Sequence, residues 1–143
     1  MPLSFEEISA VTLDITEPLK DLLNWRWEES RQMILSEFAN GKAEQTLAVL
    51  RNNFIDEWDK KTIKRAPKDL KAQLGELAKI TKEQKLFTRP ATDTQPAVLA
   101  IWWPWGHGAT LSLRLTILSD SYEYTPQPQS ENKFLGFITK LFN

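Results

Sequence analysis

At 143 residues, with 41% hydrophobic and 26% charged, the chain has the length and composition of one folded domain, not of a disordered segment. It has no cysteine and one histidine, His107, which excludes disulfides, thiolate metal sites, cysteine nucleophiles and every zinc site built on paired histidines. The formal net charge of −1 hides opposed blocks: residues 1–59 carry −7, residues 60–90 carry +7 and residues 91–143 carry −1.

Taken in chain order, Ser4 and Glu7 fit a capping box for a short helical turn. The Met1–Glu7 stretch is acidic where a signal peptide would be basic, and no run reaches the length of a membrane span. Both features predict a cytoplasmic chain. Val11, Leu13 and Ile15 alternate with polar residues, which predicts a half-buried strand over Ala10–Thr16. Thr16-Glu17-Pro18 then reads as a helix start. Leu19, Leu22, Leu23, Trp27, Ile34 and Phe38 follow one helical stripe, so a long helix is predicted over 17–39, stopped by Asn40-Gly41. A second long helix is predicted over 43–62, with Leu47, Leu50, Phe54, Ile55 and Trp58 as its apolar face. The two should form an antiparallel pair. A shorter, lysine-rich third helix is predicted over 67–80, and Leu86-Phe87 as a short edge strand.

The strongest strand signals come next. Ala97–Trp103 is almost continuously apolar, as expected of a strand buried on both faces. Ala109–Leu118 alternates, with Leu111, Leu113, Leu115 and Ile117 facing the core and Thr110, Ser112, Arg114 and Thr116 facing water or a partner. The two runs flank Gly106-His107-Gly108 and read as a hairpin, 97–118. The expected fold is therefore α+β. A small antiparallel sheet of three to four strands, centred on that hairpin, packs against two long helices and a shorter third one. Residues 1–124 form the globular domain. Residues 125–132 are a Pro/Gln linker and 133–143 a short amphipathic helix.

Catalytic readings fail on residue type. His107 sits between two glycines in a turn, and no phosphate-cradling glycine motif or nucleophile elbow is present. Asp56 and Asp59 share a helical face but lack the oxygen-rich loop that a hard cation needs. The chain therefore reads as non-enzymatic, with no metal and no cofactor.

The tryptophans carry more. Of six, Trp102, Trp103 and Trp105 lie within four positions at the hairpin. Trp103 and Trp105 would share one face and Trp102 the other. Aromatic side chains with a polar handle are favoured at binding hot spots. The candidate partner-binding set is Trp102, Trp103, Trp105, Leu99, Ile101, Tyr122 and Tyr124. Its expected partner is another protein, held by a short apolar segment that adds alongside the hairpin; a homodimer is left open.

Two other surfaces compete. Lys60, Lys61, Lys64, Arg65, Lys68 and Lys71 form a basic face that could bind nucleic acid or another anionic surface. The run lacks interleaved aromatics and the whole chain is slightly acidic, which argues against nucleic acid. Phe134, Leu135, Phe137, Ile138, Leu141 and Phe142 make an amphipathic stripe that could dock on its own domain, in a partner's groove or, as the chain's sole route to a membrane, on a lipid surface.

The linker and short terminal helix, Thr125–Phe142, resemble the encapsulation and docking peptides of bacterial microcompartment proteins. With a small helix-plus-hairpin domain that lacks active-site residues, the plan resembles small carboxysome assembly factors, the CcmS-type shell-protein chaperones. The resemblance implies an assembly chaperone that holds the C-terminal extension of a shell subunit, with the Trp102–Trp105 hairpin as the peptide site.

Overall fold

Ile8, Ile15, Leu19 and Leu23 fall seven, four and four residues apart, a helical spacing. In the computed structural model, which describes residues 3–118, all four are buried against one face of a sheet. Ser4 caps α1 (Phe5–Val11), its Oγ accepting from the Glu7 amide at 3.1 Å. The Thr12 hydroxyl donates to the Ile8 carbonyl at 2.7 Å, and α2 (Leu13–Thr16) follows at once. The strand expected over Ala10–Thr16 is thus helical. Its period-two pattern misleads because Leu13 is 55% exposed, so the buried pair is Ile8 and Ile15.

The helix expected over 17–39 is absent. After α2 the chain turns, then forms β1 (Arg26–Glu28) and β2 (Met33–Ala39), an antiparallel pair. Trp27 and Ile34 do share a face, but as cross-strand partners rather than as neighbours on a helix. The intervening turn contains no glycine, proline or asparagine. Its reversal falls on Gln32, a residue in the left-handed region at φ 54°. Asn40-Gly41-Lys42 is a single 3-10 turn that leads into α3 rather than a helix stop.

The second expected helix is cut short. α3 (Ala43–Asn53) ends at Phe54, and β3 (Asp56–Trp58) follows. Residues Ile63–Arg65 form a 3-10 turn, then come α4 (Lys68–Leu74) and a second 3-10 turn, Gly75–Ala78. β4 (Lys85–Arg89) contains Leu86-Phe87 and lies inside the sheet, paired with both neighbours, not at an edge. β5 (Val98–Pro104) and β6 (Thr110–Ile117) form the hairpin read from the sequence, with Trp102 opposite Leu113 and Trp103 opposite Ser112.

The class is α+β, but the expected architecture is corrected. The sheet has six antiparallel strands in the order β1-β2-β6-β5-β4-β3, and the helices are short. Six strands give two broad faces. One carries Ile34, Phe38, Phe87, Val98, Ala100, Trp102, Leu111, Leu113 and Leu115 and is covered by α1, α2 and α3. The other carries Met33, Leu86, Leu99 and Ile101 under Ile63, Ala66, Leu70 and Leu74 of the α4 segment. Each fully buried aliphatic side chain contributes about 1.5–3 kcal/mol. On that second face Met33, Leu35, Ser112 and Thr116 are also buried, whereas Trp103 of β5 is 43% exposed. Among the described residues, no helix is long and apolar enough to cross a membrane.

Candidate functional site

The second face holds a recess of about 260 Å³. Strand alternation builds its floor: Ile101 and Trp103 from β5 stand beside Arg114 and Ser112 from β6, their register partners. Leu77, in the 3-10 turn after α4, makes one wall. Arg31, in the β1–β2 turn, makes another, and Trp105 closes the end at the hairpin turn.

Trp103 is 43% exposed and Trp105 39%, the two halves of an aromatic rim. Trp105 is held by its backbone. Its amide donates to the Thr110 carbonyl and its carbonyl accepts from Gly108, each at 2.9 Å. Gly108 sits at φ 79°, where a side chain would be strained. His107 packs edge-on to Trp105, ring centroids 5.8 Å apart, and its Nδ1 accepts from the Ala109 amide at 3.0 Å. The lone imidazole therefore shapes the turn.

The polar side of the recess is an Arg–Glu–Arg cluster. The Arg114 guanidinium meets the Glu28 carboxylate with Nε–Oε1 and Nη2–Oε2 both at 3.3 Å, and donates to the Ser112 hydroxyl at 3.2 Å. Arg31 donates to the same carboxylate at 3.0 Å. Burial opposes ionisation of Glu28, but the bonds from Arg31 and Arg114 outweigh it and hold the carboxyl below the ordinary glutamate value. The cluster fixes Arg114 in place with one carboxylate shared between two guanidiniums. Such a surface accepts an apolar group between the tryptophans and a carboxylate or backbone carbonyl beside Arg31.

The structure brings together three of the residues expected at this site: Trp103, Trp105 and Ile101. It removes two others. Trp102 is 4% exposed on the opposite face, packed against Phe38 with ring centroids 5.9 Å apart, and Leu99 is wholly buried under α4. Both serve the core because strand β5 is covered on both sides at its middle. Tyr122 and Tyr124 lie outside the described residues, as do Phe134, Leu135, Phe137, Ile138, Leu141 and Phe142. Arg31, Leu77 and Glu28 carry no local signal, because the β1–β2 turn and the 3-10 turn after α4 bring them to the site only through the fold. Arg114 was legible as the one charge on the outward side of an alternating strand.

A second recess, about 420 Å³, is lined by Val11, Leu13, Asp14, Arg89, Thr92 and Gln95. Its guanidinium is committed to the fold: Arg89 donates to Asp14 at 2.5 Å and to the Asn53 and Val11 carbonyls, each at 3.1 Å, and stacks over Phe54. No group of three or more potential ligand side chains is placed to hold a metal ion among the described residues.

Of the basic face, Lys60, Lys61, Lys64, Arg65 and Lys68 are exposed and Lys71 half-buried. No family model, curated protein or solved structure matches this chain.

Proposed function

We propose that the protein is a non-enzymatic binding module, an adaptor or assembly chaperone, that holds a short apolar segment of a partner protein between Trp103 and Trp105. One observation carries this reading. Of the four large hydrophobic side chains left exposed among the described residues, two are these tryptophans, and they rim the same recess. Leu13 lines the other recess and Ile55 lines neither. Tryptophan in a partly dry pocket is the commonest kind of hot-spot residue, worth about 2 kcal/mol or more when covered by a partner. The recess sits on paired strands and on the Glu28 cluster, so little ordering is left to be done on binding. The likeness of residues 125–142 to microcompartment docking segments supports a shell-subunit extension as the segment held.

The test is a capture experiment with the full chain, wild type beside Trp103→Ala/Trp105→Ala. The expected result is one partner lost from the double variant while its thermal unfolding stays cooperative. A partner retained by the double variant overturns the assignment. Should that variant unfold, Arg31→Glu reads the same recess, because the Arg31 side chain is 56% exposed.

A further inference from the structure

The recess opens on the positive side of a polarised molecule. The segments over the first sheet face expose Glu6, Glu7, Asp14, Glu17, Asp21 and Glu44 against Lys20, Lys42 and Arg51. The segment over the second face exposes Lys60, Lys61, Lys64, Arg65 and Lys68, with Lys71 half-buried. Nothing in the sequence prevents the two blocks from packing together and offsetting one another. In the fold the sheet lies between these two sets of exposed charges, and the blocks meet where Arg89 and Lys85 pair with Asp14 and Glu57. Residues 60–71 hold six cations against one carboxylate, Asp69, and Lys71 donates to the Lys64 carbonyl at 2.6 Å. Asp59 precedes the run and Glu76 follows it, paired with Lys79. Asp59 is turned inward on its own loop, its Oδ1 accepting from the Lys61 and Thr62 amides at 2.8 and 2.9 Å.

The basic segment and the aromatic recess share one side of the sheet. Ile101 belongs both to the core under α4 and to the floor of the recess, and Leu77, which packs on that core, is a wall of the recess. Within the recess, Arg31 and Arg114 outnumber their common carboxylate.

Resting on the reading above, we propose that the segment held at Trp103 and Trp105 is acidic. Its apolar residues enter the recess, and its flanking Asp or Glu residues meet Arg31 and the Lys60–Lys71 cations. An excess of positive charge around an apolar anchor selects a negative partner and speeds its encounter. Nucleic acid fits less well. No exposed aromatic is interleaved with the basic run, since Trp58 is half-buried with its Nε1 donating to Thr88 at 2.8 Å.

The test is a selection of random dodecapeptides displayed on phage against the immobilised full chain. Enriched peptides are then titrated by fluorescence anisotropy. They are tested on wild type, on Trp103→Ala/Trp105→Ala, and on Lys60→Glu/Lys61→Glu/Lys64→Glu/Arg65→Glu, whose positions are all exposed. The expected peptides carry Asp or Glu beside aromatic or aliphatic residues. Their affinity falls steeply with salt and drops about tenfold or more in each variant. Enriched apolar peptides with neutral or basic flanks, or equal affinity for the charge-reversed variant, overturn this inference and leave the recess reading standing. Peptides indifferent to loss of the tryptophans, or no enrichment over an unrelated immobilised protein, overturn both. Displacement of the acidic peptides by a mixed-sequence single-stranded RNA, lost in the charge-reversed variant, overturns it in favour of a nucleic acid.

Discussion

Arg114 on β6 reaches Glu28 on β1 across the strand between them. β2 lies in the middle, and its Leu35, the register partner of both Arg114 and Arg26, is buried to 3% exposure beneath the bridge. The pair ties an edge strand of only three residues to the centre of the sheet and locks the guanidinium that lines the recess.

Removing one end of this bridge should cost stability. Arg114→Ala is expected to destabilise the chain by about 1–3 kcal/mol, below the full cost of stranding a buried charge, because Arg31 still answers Glu28. Urea unfolding measures it. A double-mutant cycle of Arg114→Ala with Glu28→Gln should return a clear coupling energy; additivity would show that the bridge does not hold the strands.

Acid should weaken the same cluster. Glu28 and Glu57 titrate below the ordinary glutamate value: Glu28 through Arg31 and Arg114 against its burial, Glu57 through the Arg51 bond at 2.8 Å, supported by Lys85. Asp59 is lowered by the Thr62 and Lys61 amides. A carboxyl depressed in the folded state contributes stability that is complete above its unfolded value, about 4.3 for glutamate, and is lost as the pH falls through the lower folded value. Denaturant midpoints should hold steady from about pH 7 to 5 and fall below about 4. Glu28→Gln should flatten part of that fall, and an unchanged acid limb would remove Glu28 from the explanation.

The adjacent tryptophans should separate cleanly. Trp102→Ala empties a buried site against Phe38 and should cost about 3–5 kcal/mol. Trp103→Ala, on the exposed face, should change stability by less than about 1 kcal/mol. Acrylamide quenching of intrinsic fluorescence should lose its most accessible component in Trp103→Ala/Trp105→Ala, leaving the half-buried Trp25, Trp27 and Trp58, and keep it in Trp102→Phe.

Two glycines should respond in opposite directions to alanine. A Cβ at Gly41 or at Gly75 would meet no atom within 4 Å, so backbone conformation alone decides. Gly75 adopts φ 54°, ψ −125°, and Gly75→Ala should cost about 1–3 kcal/mol. Gly41 has no positive φ, and Gly41→Ala should gain about 0.4–1 kcal/mol by restricting the unfolded chain. Thermal midpoints measure both.

What the sequence determined by itself is local and repetitive. The unbroken apolar run at Ala97–Trp103 and the alternation at Ala109–Leu118 specify a central hairpin, because a strand's two-residue period shows directly in its side chains. Alternation also separates Trp103 from Trp102. What the tertiary structure decided is everything that depends on pairing across distance. Met33–Ala39 is a strand because β6 supplies its ladder, although its apolar residues also fit a helical stripe. The turn before it falls on Gln32, which carries no turn signature. Arg31, Leu77 and Arg114 come from separate segments and meet at one recess only once six strands are laid side by side. Charge follows the same logic: the opposed blocks are written in the chain, but the fold decides that Arg89 and Lys85 pair with Asp14 and Glu57 while Lys60–Lys71 lies on the other side of the sheet from the α1–α2 carboxylates.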